Sequence, residues 1–100
     1  MAAHPPKRIQ LRRTKGWRKP EGAVVVARPS RWGNPFRVSD APGDHPDPQR
    51  WAVEQFRLWA VTGLDVDAVR DHLAGHDVAC WCPLSSRCHG DVLLEMANGR

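Results

Sequence analysis

Asp77-Val78-Ala79-Cys80-Trp81-Cys82-Pro83 is a short apolar run closed by a proline, and it leads straight into Leu84-Ser85-Ser86-Arg87-Cys88-His89-Gly90. The run is too short for a helix and reads as a strand that Pro83 ends. Period two puts Cys80 and Cys82 on one face and Trp81 on the other, so two sulfurs project together from the strand end. Their Cα atoms would stand about 6.6 Å apart, at the upper limit for a disulfide, so a dithiol is expected. Residues 88 to 97 read as a final helix with Cys88 at its start, where a helix N-terminus lowers a thiol pKa from about 8.5 toward 7.5 or below. All three cysteines of the chain, with His89, therefore fall within ten residues.

Two helices are predicted just before this run. Asp47 is placed as an N-cap with Pro48 at the first helical position, and the helix runs through Trp51, Ala52, Phe56, Trp59 and Ala60 to Thr62, stopped by Gly63. Positions 52, 56, 59 and 60 share one apolar face, which reads as core. A second helix, capped by Asp65 or Asp67, passes Val66, Val69, Arg70 and Leu73 and stops at Gly75, with His72 and His76 as exposed helix-end residues. Residues 38 to 47, rich in Asp, Pro and Gly, read as an exposed connector.

Ahead of that connector, Ala23-Val24-Val25-Val26-Ala27-Arg28 is a run of β-branched residues that suits a central strand buried on both faces. Pro29-Ser30-Arg31-Trp32-Gly33-Asn34-Pro35-Phe36 follows as a loop. In it Gly33 permits a left-handed or closely approached backbone, and Arg28 and Arg31 offer guanidinium forks to phosphate or carboxylate. A tight structural turn with surface arginines is the competing reading. Arg8 to Arg13 alternates apolar with polar and reads as a short half-exposed strand, and residues 1 to 7 as a loose end. Between the strands Thr14 to Gly22 is loop, where Trp17, flanked by Lys15 and Arg18, either stacks on a base or caps the core edge.

The two strands with distinctive loops are separated by two helices, which is a crossover pattern. If they run parallel, both loops emerge at the carboxyl edge of one sheet, where open α/β folds place ligands. The expected fold is a small single α/β domain over residues 8 to 100, Rossmann-like, with a short, mostly parallel sheet flanked by about three helices.

With 100 residues the chain has a marginal core that a metal or a partner would help to stabilise. An odd number of cysteines and a start without an apolar signal suggest a reducing cytosol, and no apolar run is long enough for a membrane span. The net charge of +4 is uneven: residues 1 to 37 carry +9 and residues 38 to 100 carry −5. A basic leading third suits nucleic acid, nucleotide phosphate or an acidic protein, or serves as a solvated arm.

Arg-Arg-Thr-Lys-Gly-Trp at 12 to 17, Val-Ala-Arg-Pro-Ser-Arg-Trp-Gly-Asn-Pro-Phe at 26 to 36, and Cys-Trp-Cys with Cys-His at 80 to 89 resemble the domain-of-unknown-function family 4326, small proteins of actinobacteria and their phages. The resemblance spans Arg8 to Asn98. It implies a site at these motifs without naming a reaction. A fainter likeness to another bacterial family of Rossmann-like fold, in which a late strand ends in cysteine and the next helix begins Cys-His, favours the same architecture.

Two functional readings remain open. In the first, an enzyme or enzyme-like domain binds a nucleotide or nucleic-acid component in a crevice where Arg28, Ser30, Arg31, Trp32, Gly33 and Asn34 hold the ligand, and Cys88 with His89 or Cys82 supplies the nucleophile or moves a proton. Arg12, Arg13, Lys15, Trp17 and Arg18 are the expected nucleic-acid contacts. In the second, a basic module acts on nucleic acid or a host protein without catalysis, stabilised by Zn²⁺ on Cys80, Cys82, Cys88 and His89. That spacing departs from separated ligand pairs, and residues 88 and 89 point about 100° apart on a helix. Plain packing of buried thiols is the third possibility.

Overall fold

The computed structural model describes residues 5–98. Three parallel strands form its sheet: β1 (Arg8–Gln10), β2 (Val24–Val25) and β3 (Val78–Cys80), in the order β1-β3-β2. Arg8 pairs with Val78 and Gln10 with Cys80 on one side of β3, and Val24 pairs with Val78 and Val25 with Ala79 on the other. The ladder continues past these bounds, since Leu11 N–H donates to Cys80 O and Val26 N–H to Ala79 O.

The centre of the sheet is β3, which corrects the expectation that residues 23 to 28 form the central strand. Val78, Ala79 and Cys80 are all buried, whereas Val24 is half-buried and Val25 is 37% exposed. The reason is that β1 pairs with β3 as well, so the Val-rich segment has a neighbour on one side only. The alternation from Arg8 to Arg13 likewise yields a strand of three residues, because the chain leaves the sheet after Leu11.

The helices lie where capping chemistry puts them. Helix α1 (Pro48–Gly63) starts on Asp47, whose carboxylate accepts from the Arg50 N–H, and has Pro48 in its first turn. It buries Ala52, Val53, Phe56 and Ala60, with Trp59 half-buried at the margin, and includes Gly63 before Leu64 turns extended. Helix α2 (Val66–Leu73) is capped by Asp65, which accepts from the N–H groups of Asp67 and Ala68, and it ends ahead of Gly75 at φ 79°. Val69 and Leu73 form its buried face. His72 and His76 are exposed at its end, as read, and the 38–47 connector contains one 3-10 turn, Val38–Asp40.

Helix α3 (His89–Asn98) packs against β1 and β3 and carries α1 and α2 on its flanks. Its Leu93 and Val92 meet Phe56, Leu73 and Val78 in one core cluster. Each of the large aliphatic or aromatic side chains in that cluster contributes about 1.5–3 kcal/mol by burial. Residues 1–4 of the expected loose end lie outside the described residues. Lys7 is already anchored, its N–H donating to the Asp77 carboxylate and its carbonyl accepting from Val78.

Candidate functional site

The loop after β3 is shaped by a residue far away in sequence. Arg8, with a side chain only 8% exposed, sends Nε to the Asp91 carboxylate at 3.1 Å. Its Nη1 donates to the carbonyls of Cys82 and Pro83 at 3.4 and 3.1 Å, and its Nη2 to those of Leu84 and Ser86 at 3.2 and 2.7 Å. A planar fork with five N–H donors suits a loop that turns several carbonyls inward, and an ammonium with three donors does not. The loop is thereby held against the start of α3. Nothing in the local pattern of Arg8 marks this role, because the four acceptors are backbone atoms.

That clasp brings the sulfurs together. The Sγ atoms of Cys80, Cys82 and Cys88 all lie within 4.8 Å of one another, and those of Cys80 and Cys82 are 3.6 Å apart. All three cysteines are free thiols, and the dithiol expected for Cys80 and Cys82 is among them. Tetrahedral zinc with Zn–S near 2.3 Å places its sulfurs about 3.8 Å apart, so the cluster has the dimensions of a single-ion site. Two N–H groups point at the sulfurs: the Gly90 backbone to Cys88 at 3.4 Å and the Gln49 amide, from the first turn of α1, to Cys82 at 3.8 Å. The same Gln49 amide is fixed by the Arg87 carbonyl at 2.6 Å.

Ionisation in this trio is uneven. The Cys80 thiol is pulled well below the usual range by hydrogen bonding with the sulfurs of Cys82 and then Cys88, against the opposing effect of burial. Cys88 is pushed far up by the neighbouring sulfurs of Cys80 and then Cys82, and by its own burial. Cys82 also moves up, chiefly through Cys80. The expected lowering of Cys88 by its helix N-terminus is therefore corrected: the sulfur is fully buried and its neighbours keep the proton on it. Cys82 is the least buried member of the trio.

His89 is buried at 6% exposure and bridges two elements. Its Nε2–H donates to the Val26 carbonyl at 2.7 Å, which leaves Nδ1 as the lone-pair nitrogen, 3.7 Å from Cys88 Sγ. The ring packs edge-on against Phe56 with centroids 5.1 Å apart. Thus residues 88 and 89 do meet, despite their helical divergence, but His89 stands outside the group of three that could hold an ion.

Because β2 and β3 are parallel neighbours, the loops after them emerge at the same edge. Between them lies a cleft of about 260 Å³, lined by Arg28, Asn34 and Phe36 on one side and by Cys80 at the end of β3, with Trp81 and Cys82 of the loop after it, on the other; Gln49 and His89 are also in its wall. Arg28 is exposed and uses one arm on the Asn34 carbonyl at 3.0 Å. Asn34 is a buried wedge, its amide donating to Ala52 O and its side-chain oxygen accepting from Phe36 N–H. Gly33 has no positive φ; a Cβ there would lie 3.0 Å from the Arg28 Cα, so close approach is what requires glycine.

The other residues of that loop stand apart from the cleft. Arg31 is exposed and lies over the ring of its neighbour Trp32, 4.5 Å from the centroid. Trp32 is buried against His72, and Ser30 Oγ is buried with no hydrogen-bond partner among the described residues. On the basic arm, Arg12, Arg13, Lys15 and Arg18 are exposed, and Trp17 is half-buried. The Arg13 guanidinium stacks over Trp81, 4.8 Å from the ring centroid. Trp81, Gln49 and Phe36 lie outside the predicted site residues; the strand pattern puts Trp81 on the face opposite the cysteines, yet the residue lines the cleft and is 44% exposed.

A short parallel sheet with helices and a three-cysteine cluster at the carboxyl end of its central strand defines a small α/β protein with a candidate metal-binding cleft. The chain belongs to the family described as Domain of unknown function (DUF4326), whose model matches residues 9–99. No curated protein and no solved structure matches it. Among the described residues no helix is long and apolar enough to cross a membrane.

Proposed function

We propose that the chain is a nucleotide-binding module in which Cys80, Cys82 and Cys88 hold one Zn²⁺ in the wall of the binding cleft. The observation that carries this reading is that a sulfur trio of single-ion dimensions and the exposed fork of Arg28 line or adjoin the same cleft. Arg28 keeps donors for a phosphate beyond the one it gives to Asn34, and Trp81 and Phe36 offer aromatic surface to a base. The ion would tie the end of β3 to the start of α3, offsetting the small core of a sheet whose strands span three, two and three residues. Gly90 and Gln49, donating to sulfur, suit thiolate ligands.

Binding is favoured over hydrolysis because no carboxylate is among the described residues that line the cleft, and His89 has its Nε2–H committed to Val26 and its Nδ1 beside Cys88. Free thiols of this kind fit a reducing cytosol. A parallel sheet with its cleft at the carboxyl edge is what supports reading the fold as a reduced Rossmann-like arrangement.

Native mass spectrometry of protein purified without chelator, followed by thiol alkylation, tests the metal. One zinc per chain with all three thiols protected is the expected result; metal-free protein with freely alkylated thiols removes the zinc reading. Titration of tryptophan fluorescence with nucleoside monophosphates tests the cleft, and Arg28→Ala should abolish the response.

A further inference from the structure

We propose that the nucleotide taken by the cleft is the end of a single-stranded nucleic acid, laid along a basic track that crosses Trp81. This deepens the cleft reading above and rests on it for the seating of the strand's end. Three observations join into one surface. Arg12 and Trp17 line a second cleft, of about 360 Å³, with Leu84 also in its wall. The next residue, Arg13, stacks on Trp81, and Trp81 lines the first cleft. One exposed indole is therefore the junction between the basic arm and the cleft that holds Arg28.

The charges on this track are available. Arg12, Arg13, Lys15 and Arg18 are exposed, and none has a carboxylate partner among the described residues. By contrast Arg8, Arg50 and Arg57 are each paired, so the chain does form ion pairs where charges serve the fold. Free cations interleaved with aromatic rings are the chemistry of single-strand binding, in which phosphates track the cations and bases stack on the rings whatever their sequence. Duplex is disfavoured. The cations sit on the loop between β1 and β2 and not along a helix face that would enter a groove, and an indole stacks only on an unpaired or splayed base.

The test uses the protein as purified, with fluorescence anisotropy of labelled oligo-dT and oligo-U of about ten nucleotides, the span of one such site. Both single strands should bind, and a blunt duplex of the same length should bind more weakly. With three or four phosphate contacts at about 0.7 per contact, affinity should fall roughly 20- to 50-fold between 50 and 200 mM salt. The double variant Arg12→Ala/Arg13→Ala should flatten the log–log salt slope by about 1.4. Trp81→Ala should weaken binding about tenfold or more and leave the slope unchanged. Unaltered thermal unfolding of these surface variants shows that the fold is intact.

No binding of either single strand at 50 mM salt, duplex binding as tight as single-strand binding, or a double variant with wild-type affinity and slope each overturns the proposal. Mononucleotide binding sensitive to Arg28→Ala, without oligomer binding, overturns the track and leaves the cleft reading standing. Oligomer binding that the track variants weaken and Arg28→Ala does not, with no response to mononucleotides, supports the track and refutes the cleft as the seat of the strand's end.

Discussion

Removing the Arg8 guanidinium is the sharpest perturbation the fold offers, because one side chain serves five acceptors on the loop and on α3. Hydrogen bonds from a charged donor are worth about 1.5–3 kcal/mol each when buried, but carbonyls near the surface regain water when the donor leaves. Of the five contacts, those to Pro83 and Leu84 are solvent-exposed and those to Asp91, Cys82 and Ser86 are half-buried. Counting mainly the half-buried group, and allowing that bonds within one cluster are not additive, Arg8→Ala should cost about 2–4 kcal/mol. That is a large share of the roughly 5–15 kcal/mol that stabilises a domain. Arg8→Lys, with three donors and no fork, should lose about half as much. Urea denaturation reads the loss directly, and for a chain of this length the alanine variant should melt roughly 8–30 °C lower. Metal affinity should fall with it, because the loop would no longer hold Cys88 near Cys80 and Cys82. A change below about 0.5 kcal/mol with unaltered metal affinity would refute the claim that Arg8 organises the cysteine loop.

Two further outcomes follow from the geometry. Gly33→Ala forces a methyl against the Arg28 backbone, 3.0 Å from its Cα, which has no freedom to yield beside β2; it should cost about 1–3 kcal/mol, read as a shift in the urea midpoint with unchanged slope. In metal-free protein Cys82 and Cys88 keep their protons above the usual thiol range, so the folded state holds more protons than the unfolded state once pH passes about 8.5. Stability should then decline as pH rises from there toward their raised values, and Cys88→Ser should lessen the decline; a flat profile between pH 8 and 10 would show that the thiols do not hold these protons.

The parts of this structure that the sequence made legible are those written in local chemistry. Asp47 with Pro48, and Asp65 before Val66, mark helix starts through side-chain oxygens that meet the nearest free N–H groups, so a few consecutive residues suffice. The pairing of Cys80 with Cys82 was legible too, but not its cause: β3 ends at Cys80 and the chain bends at Trp81 and Cys82, so the sulfurs meet at 3.6 Å through that bend and not through strand alternation. The order of the strands was not legible in this way. Val24-Val25-Val26 has the stronger β pattern, but position in a sheet is decided by which strand has two neighbours, and the short β1 gives that place to β3. The same limit explains the site. The wall of the cleft depends on a parallel pairing, and the thiols depend on Arg8, some seventy-five residues away, reaching carbonyls that no side chain announces.

Distance in sequence also reverses a local inference at Cys88. A helix N-terminus taken alone favours thiolate, yet this sulfur faces two other sulfurs at close range and no solvent. Three thiols within 4.8 Å share their first negative charge by S–H donation to one of them, and each further charge would be opposed by the one already present. An incoming divalent cation removes that opposition, since it neutralises the thiolates it collects. The cluster is therefore poorly suited to present a lone nucleophile at Cys88 and well suited to exchange its protons for one ion. On that chemistry, the buried sulfur at the head of α3 is better read as an anchor for the cleft than as its reactive group.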